Sequence, residues 1–321
     1  MVAALTLDGI SKRYGSFQAV SDLSFQVEKG SICGFLGPNG AGKTSTLRMI
    51  LGLQPATSGR IDILGADDGR KVRDRIGFLP EERGLYKKMT PVDAIAFFGG
   101  LKGLPLPEGR RRGREMLEQM GLGEASKKKM KELSKGMAQK VQLIASVVHQ
   151  PEFVILDEPF SGLDPMNQQG LEAMIRALAE NGATVLFSTH VMQHAERLCD
   201  KVVLLARGRK AFEGTVDEAR ATSPRFLELE GVLDRNAVAA LPGVSGIETL
   251  AEDGAVSTLR VGLTPGGEAQ CALRAAFLGG LDVRRFQMKE PTLHDAFIAL
   301  TGDHPDEDQS VSKADTMEAA R

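Results

Sequence analysis

Cysteine is scarce in this chain. Only three occur in 321 residues, Cys33, Cys199 and Cys271. None forms a CxxC pair, which argues against a zinc site or a disulfide framework and suits a reducing compartment. Cys33 lies in an apolar run, SICGFLG, and reads as a buried strand thiol. Long apolar runs are missing too: none approaches the roughly 18–20 residues that a bilayer span needs. The opening MVAALTLDGISKRYG lacks a basic start, a long apolar core and a cleavage site, so no signal peptide is expected. If the protein works at a membrane, another chain must cross it. Charge is balanced at a formal −2, which gives no general affinity for nucleic acid. Sustained heptads are also absent, which excludes a long coiled coil. The remaining composition, 42% hydrophobic and 26% charged, is that of a globular protein with one large domain or two compact ones.

Along the chain, residues 2–29 alternate apolar and polar, with turn signals at Asp8–Gly9 and Tyr14–Gly15, and predict short antiparallel strands. A compact apolar run at 31–36 precedes a glycine-rich loop and a helical pattern at 43–53. Strands are expected at 59–64 and 75–79. From 90 to 150 helical spacing dominates, at 91–101, 108–120 and 140–149, as in a helical insertion. Strands at 153–156 and 184–188, joined by a helix at 166–180, imply a parallel sheet. A hairpin is expected at 201–213. After Ser223–Pro224 a strand is expected at 225–230, a helix at 233–241, strands at 247–250 and 257–261, a helix at 268–277, a strand at 283–288 and a last helix at 292–300. The βαββαβ order of that segment is ferredoxin-like. The polar stretch 303–321 is expected to be a disordered tail.

GPNGAGKT at 37–44 fits G-x-x-x-x-G-K-[ST], between an expected strand and an expected helix. Gly37, Gly40 and Gly42 let the backbone, with Pro38, Asn39 and Ala41 between them, turn N–H groups onto phosphate oxygens. The helix start adds its positive dipole end. Lys43 is expected to bridge the β- and γ-phosphates of ATP, and the Thr44 hydroxyl to coordinate Mg²⁺. FVILDE at 153–158 brings Asp157 to a strand's C-terminal end, where it can hold Mg²⁺ through water. Glu158 is the candidate to polarise an attacking water. His190, after the strand in STH, is placed for the γ-phosphate. A second anion-binding signal, LSKGM at 133–137, raises the question of why one chain carries two.

The set GPNGAGKT, LSKGM, VILDEP, SGLD and STH, in this order, resembles the ATP-binding cassette of ABC transporters over roughly residues 3–220. The resemblance implies an α/β fold of the P-loop NTPase type, a RecA-like core with antiparallel β and helical subdomains, followed here by a small α+β ferredoxin-like domain. The cassette would span 1–222, with its helical subdomain at about 88–150, and the accessory domain 223–302. The resemblance also implies head-to-tail dimers closed by ATP, either of identical chains or with a related cassette. Ser134 and the N–H of Gly136 would then cap the γ-phosphate held by the partner, which explains the two loops. Tyr14 matches the aromatic that stacks on adenine, and Ser45 a contact to the α-phosphate. Ser161–Asp164 matches the loop that communicates across the dimer, with Asp164 near the nucleotide.

Three positions depart from the family pattern. Glu81 stands where a Gln is usual and would reach Mg²⁺ or its water; Lys135 replaces a Gly; Met137 replaces a Gln, with Gln139 close by. PEERGLY at 80–86 and the ending PTLHDAFIALTG resemble the ATPases of ABC-2-type exporters, similar to sodium or drug efflux systems. That likeness implies an energy-coupling subunit on the inner face of the cell membrane and a separate transmembrane permease, docked near 81–86. The alternative is a cassette acting on ribosomes or nucleic acid. Its only support is two basic runs, RRRGR at 110–114 and KKKMK at 127–131, which read more simply as solvated helical faces or as contacts to anionic lipid.

Overall fold

The computed structural model describes residues 2–82, 84–223, 225–264 and 268–302. The stretch 303–321, expected to be a tail, lies outside the described residues. The chain divides into two compact units, one reaching Val216 and the other beginning at Asp217.

In the first unit the elements run β1 (Ala3–Tyr14), β2 (Phe17–Glu28), β3 (Ile32–Leu36), α1 (Lys43–Ile50), β4 (Ser58–Ile63), β5 (Ile76–Leu79), α2 (Pro91–Gly100), α3 (Leu106–Gln119), α4 (Lys135–Val147), β6 (Phe153–Asp157), α5 (Pro165–Glu180), β7 (Thr184–Thr189), α6 (Met192–Leu198), β8 (Lys201–Ala206) and β9 (Arg209–Gly214); α7 (Val216–Arg220) starts at its last residue and belongs otherwise to the second unit. Strands β2, β1 and β4 form an antiparallel sheet. The main sheet has the order β5-β6-β7-β3-β8-β9, parallel except for β9. Every residue of β3, β6 and β7 is buried, and the continuous apolar runs that predicted them reflect cover on both faces.

Two sequence expectations need correction. The turn signal at Asp8–Gly9 is a bulge inside one twelve-residue strand: pairing shifts register between Leu7 and Ile10, where Gly9 takes φ 59° and donates its N–H to Ser24 Oγ at 2.8 Å. The helix expected at 140–149 starts earlier, at Lys135, because Ser134 caps it and accepts the Met137 N–H at 3.2 Å.

Helix α4 ends beside β5, and this junction gives the unit a pH dependence. His149 Nε2 lies 3.3 Å from the Ile76 carbonyl, and its buried Nδ1 has no partner. Burial first, then the Lys102 charge, pushes its pKa down to about 4. The fold therefore holds the neutral ring, while the unfolded chain takes up a proton near pH 6.5. Stability from this group is intact above about 6.5 and is lost as pH falls toward 4, by an amount on the order of 1–3 kcal/mol. His149→Gln is expected to flatten the fall of Tm across that window, measured by circular dichroism. An unchanged slope would assign the acid sensitivity elsewhere.

The second unit contains β10 (Phe226–Val232), α8 (Arg235–Ala239), β11 (Val244–Asp253), β12 (Val256–Leu263), α9 (Ala269–Leu278), β13 (Asp282–Lys289) and α10 (Leu293–Thr301). Its sheet is fully antiparallel with the order β11-β12-β10-β13. This is the expected βαββαβ arrangement. Leu227, Leu229, Leu259 and Val261 alternate inward and pack with Val238 of α8.

Candidate functional site

Parallel pairing brings three strand ends to one edge of the main sheet. Leu36 of β3 is opposite Thr189 of β7, and Asp157 of β6 is opposite Ser188. The loop 37–44 leaves β3 there, and α1 starts from it. Gly42 has φ 98°, and a Cβ on it would meet the Ala19 carbonyl at 2.6 Å; one on Gly37 would meet Leu205 O at 2.3 Å. Only glycine fits either place. The loop is seated by Gly37 N–H donating to Thr189 O at 3.4 Å and Gly208 N–H to Ala41 O at 3.2 Å. Ala41 is buried, Pro38 is half-buried, and Asn39 and Gly40 are exposed at the tip.

Lys43 is 6% exposed. Its ammonium donates to Gly37 O at 2.7 Å and Pro38 O at 3.1 Å, and stands 3.6 Å from Glu158 Oε1. Burial lowers its pKa, opposed by Glu158, Asp157 and Glu81. Glu81 is exposed beyond the end of β5, and its charge reaches Lys43.

Asp157 is buried, and burial raises its pKa against hydrogen bonds from Ser188 and Thr44. The Ser188 hydroxyl also accepts the Glu158 N–H at 3.3 Å. Glu158 itself has φ 46°, a left-handed conformation that costs a non-glycine residue about 1–3 kcal/mol. Its N–H donates to Ser188 O at 3.1 Å, which helps hold that backbone. The strained turn aims the carboxylate back over the loop: Oε1 is 3.0 Å from His190 Nδ1. Lys43, Thr44, Asp157, Glu158 and His190 therefore converge at one place. The sequence quoted Ser188 only as a letter of STH; its role as the link between the two carboxylate residues comes from the pairing of β6 with β7.

The remaining candidates fall in two groups. Tyr14 is 41% exposed, and its hydroxyl reaches Gln54 and, at 3.5 Å, Ser45 Oγ of α1. Lys12 Nζ lies 5.0 Å from its ring centre. Tyr14 and Ser45 thus lie at the α1 side of the loop, and Gln54 joins them without any sequence signal. Ser134 and Gly136 lie elsewhere. Among the described residues no hydrogen bond or ion pair joins them to 37–44. Ser134 is exposed at the start of α4, and a Cβ on Gly136 would strike the Asn167 side chain of α5 at 2.5 Å. The Lys135 side chain lies over Gly162. Asp164 caps α5, accepting the Asn167 N–H at 2.9 Å. Gln139 donates to Pro159 O at 3.1 Å, so α4 is tied to the turn that carries Glu158.

Sequence reasoning assigned nothing to His194. The structure buries it, stacked on Phe160 at 4.1 Å and bonded to Glu172 at 3.1 Å. Burial lowers its pKa. It braces the segment after Glu158, and an apolar helix pattern gives no hint of such a contact.

Chemically, a buried cation, a hydroxyl beside a carboxylate, and a second carboxylate next to a histidine suit a polyphosphate, a divalent cation and a polarised water. Comparison with known proteins supports the nucleotide part of this set. Residues 20–161 match the family described as ABC transporter. The chain is 36% identical to the uncharacterized ABC transporter ATP-binding protein YhaQ of Bacillus subtilis, over 93% of this chain and 98% of that one. It is 35% identical to the daunorubicin resistance ATP-binding protein DrrA3 of Streptomyces coeruleorubidus, over 94% and 96%. A solved structure, the ATP-binding subunit of an ABC transporter, aligns with TM-score 0.63 and 32% identity over 68% of this chain and 92% of that one.

Proposed function

Because the chain belongs to the ABC transporter family as an ATP-binding protein, we propose that it hydrolyses ATP to drive a separate transmembrane exporter. The observation that carries this reading is the convergence of Lys43, Glu158 and His190 on the strand ends that also bear the glycine loop. The loop N–H groups and Lys43 bind the phosphates of ATP. Tyr14 offers its face to the adenine and Ser45 its hydroxyl to the α-phosphate. Glu158 accepts a proton from the attacking water, and His190 orients that carboxylate and contacts the γ-phosphate.

The residues present fit Mg²⁺. A bound cation would stabilise the ionised form of the buried Asp157, which burial disfavours, and the Thr44 hydroxyl acts on the same carboxyl group. Thr44 and Asp157 would hold the ion, with Glu81 at its outer water shell. The ion would take its other ligands from phosphate and water. When bound, Mg²⁺ neutralises charge on the phosphate oxygens.

The exposed Ser134 at the start of α4 favours a head-to-tail dimer, in which it and the Gly136 N–H face the partner's ATP. ATP is then part of the interface, and its hydrolysis releases the two chains. Among the described residues no helix is long and apolar enough to cross a membrane. The ATP-binding subunits of this family imply a permease on a second chain. We place its contact near 81–86, where Gln142 of α4 donates to Glu82 O at 3.2 Å, with Tyr86 at the edge of that contact. With that contact the proposed place of the protein is the inner face of the membrane.

The nucleic-acid alternative draws no support from RRRGR. Arg110 pairs with Asp93, Arg111 with Glu108 and Glu115, and Arg112 with Glu108. Three of the run's four arginines are thus paired with carboxylates.

The test is to capture tagged Glu158→Gln protein from solubilised native membranes with ATP and Mg²⁺. A polytopic membrane protein in stoichiometric amount is expected. Recovery of ribosomes or DNA-bound proteins instead would overturn the exporter reading.

A further inference from the structure

The second basic run differs from the first. KKKMK carries Lys127, Lys128, Lys129 and Lys131, all exposed, around a buried Met130. Met130 anchors the segment, so its flanking lysines are turned outward. The Lys129 N–H donates to Glu132 Oε2 at 2.9 Å, which holds the short turn Met130–Glu132. Two backbone hydrogen bonds fasten it to a second segment: Met130 N–H to Met89 O at 2.9 Å, and Lys131 N–H to Lys87 O at 3.1 Å. That segment adds Lys87 and Lys88, also exposed. Six lysines thus share one surface. Among the described residues none of the six is in an ion pair, whereas Arg110, Arg111 and Arg112 of α3 are paired. Glu132 is the carboxylate within the run, and its Oε2 is already engaged by the backbone.

An aromatic edge adjoins the lysines. Tyr86 precedes Lys87, is 56% exposed, and is propped on Phe97 at 5.6 Å and Phe98 at 6.5 Å. A rigid tyrosine beside flexible, unpaired ammonium groups is the arrangement found at a membrane–water interface. The ring sits at headgroup depth, and the lysine stems extend while the charges meet phosphates.

We infer that Lys87, Lys88, Lys127, Lys128, Lys129 and Lys131, with Tyr86, form a contact surface for anionic lipid headgroups. Charge complementarity selects this occupant. The chain as a whole has a net charge of −2, so only a local concentration of unpaired lysine can be drawn to an acidic leaflet. The contact acts within a Debye length, about 8 Å at physiological salt, so it operates when the subunit already lies against the membrane. There it fixes which face of the helical insertion points to lipid. The inference deepens the membrane placement proposed above, but its test contains no permease, so either can fail alone.

The experiment is sedimentation of the full chain with vesicles of phosphatidylcholine, with and without phosphatidylglycerol, at low and physiological salt. Binding is expected only to the anionic vesicles, and it weakens as salt rises. Each lysine removed is expected to weaken binding about fivefold. Replacing Lys127, Lys128, Lys129 and Lys131 together by Gln should therefore lower the bound fraction to that seen with neutral vesicles. The matching replacement by Arg should keep binding, and Tm should be unchanged in both. Arg110→Gln and Arg111→Gln serve as the control outside the patch. Equal binding to neutral vesicles, no binding to either kind, or wild-type binding by the fourfold Gln variant would each overturn the inference. Binding to duplex DNA as tight as to anionic vesicles at the same salt would also overturn it, since the surface would then take any polyanion.

Discussion

Glu158→Gln is expected to slow steady-state ATP hydrolysis by a factor on the order of 10²–10⁴ while leaving ATP bound. The amide has the carboxylate's shape but cannot take a proton from water at neutral pH. Its oxygen can still face His190, 3.0 Å away, so the left-handed turn and the histidine are held as before. Binding is expected to tighten, because a negative charge beside Lys43 and the incoming phosphates is removed. In the proposed dimer the tighter, slower nucleotide becomes a persistent link. Size-exclusion chromatography with ATP and Mg²⁺ should show a dimer that outlasts the wild type's, and phosphate release should fall in parallel. Turnover near the wild-type rate would mean that another group activates the water, and would remove Glu158 from the reaction.

The site was legible wherever function rests on a local backbone shape. The loop 37–44 needs glycine at Gly37 and Gly42 because carbonyls of Leu205 and Ala19 stand where a side chain would go, so the chemistry is written in adjacent letters. Asp157, Glu158 and His190 were readable because parallel strands deliver their C-terminal ends to one edge. The second unit was readable from period-two alternation, as at Leu227 and Leu229. What escaped depends on contacts between distant segments. Nothing near Gly9 distinguishes a bulge from a turn until Ser24 is opposite it. Gly136 reads as an anion-loop glycine, yet its close neighbour is Asn167 of α5. The two basic runs look alike as text. In one, Arg111 and Arg112 pair with carboxylates at helical spacing and Arg110 with Asp93 of α2, and the other is turned outward around a buried methionine, which only the pairing with 87–89 reveals.

Lys43→Ala is expected to weaken ATP binding by a factor on the order of 10²–10⁴. A hydrogen bond to a charged group contributes about 1.5–3 kcal/mol, and the ammonium is placed to make two such contacts to phosphate oxygens. The loss has a second part, which comes from the site rather than the ligand. Asp157 and Glu158 are both buried around Lys43, and burial already lifts the pKa of Asp157. Without the ammonium, an arriving polyphosphate meets two carboxylates with one positive charge fewer to offset them. The two parts can be separated. If charge imbalance contributes, the double variant Lys43→Ala with Glu158→Gln should bind ATP more tightly than Lys43→Ala alone, by a coupling of about 0.5–3 kcal/mol. Titration with a fluorescent ATP analogue reads both affinities, and Tm checks that each variant folds. Equal affinity of the single and double variants would assign the whole effect to lost phosphate contacts. Lys43→Ala binding as tightly as the wild type would break the assignment of the glycine loop itself, since its N–H groups would then hold the nucleotide without the lysine that they surround.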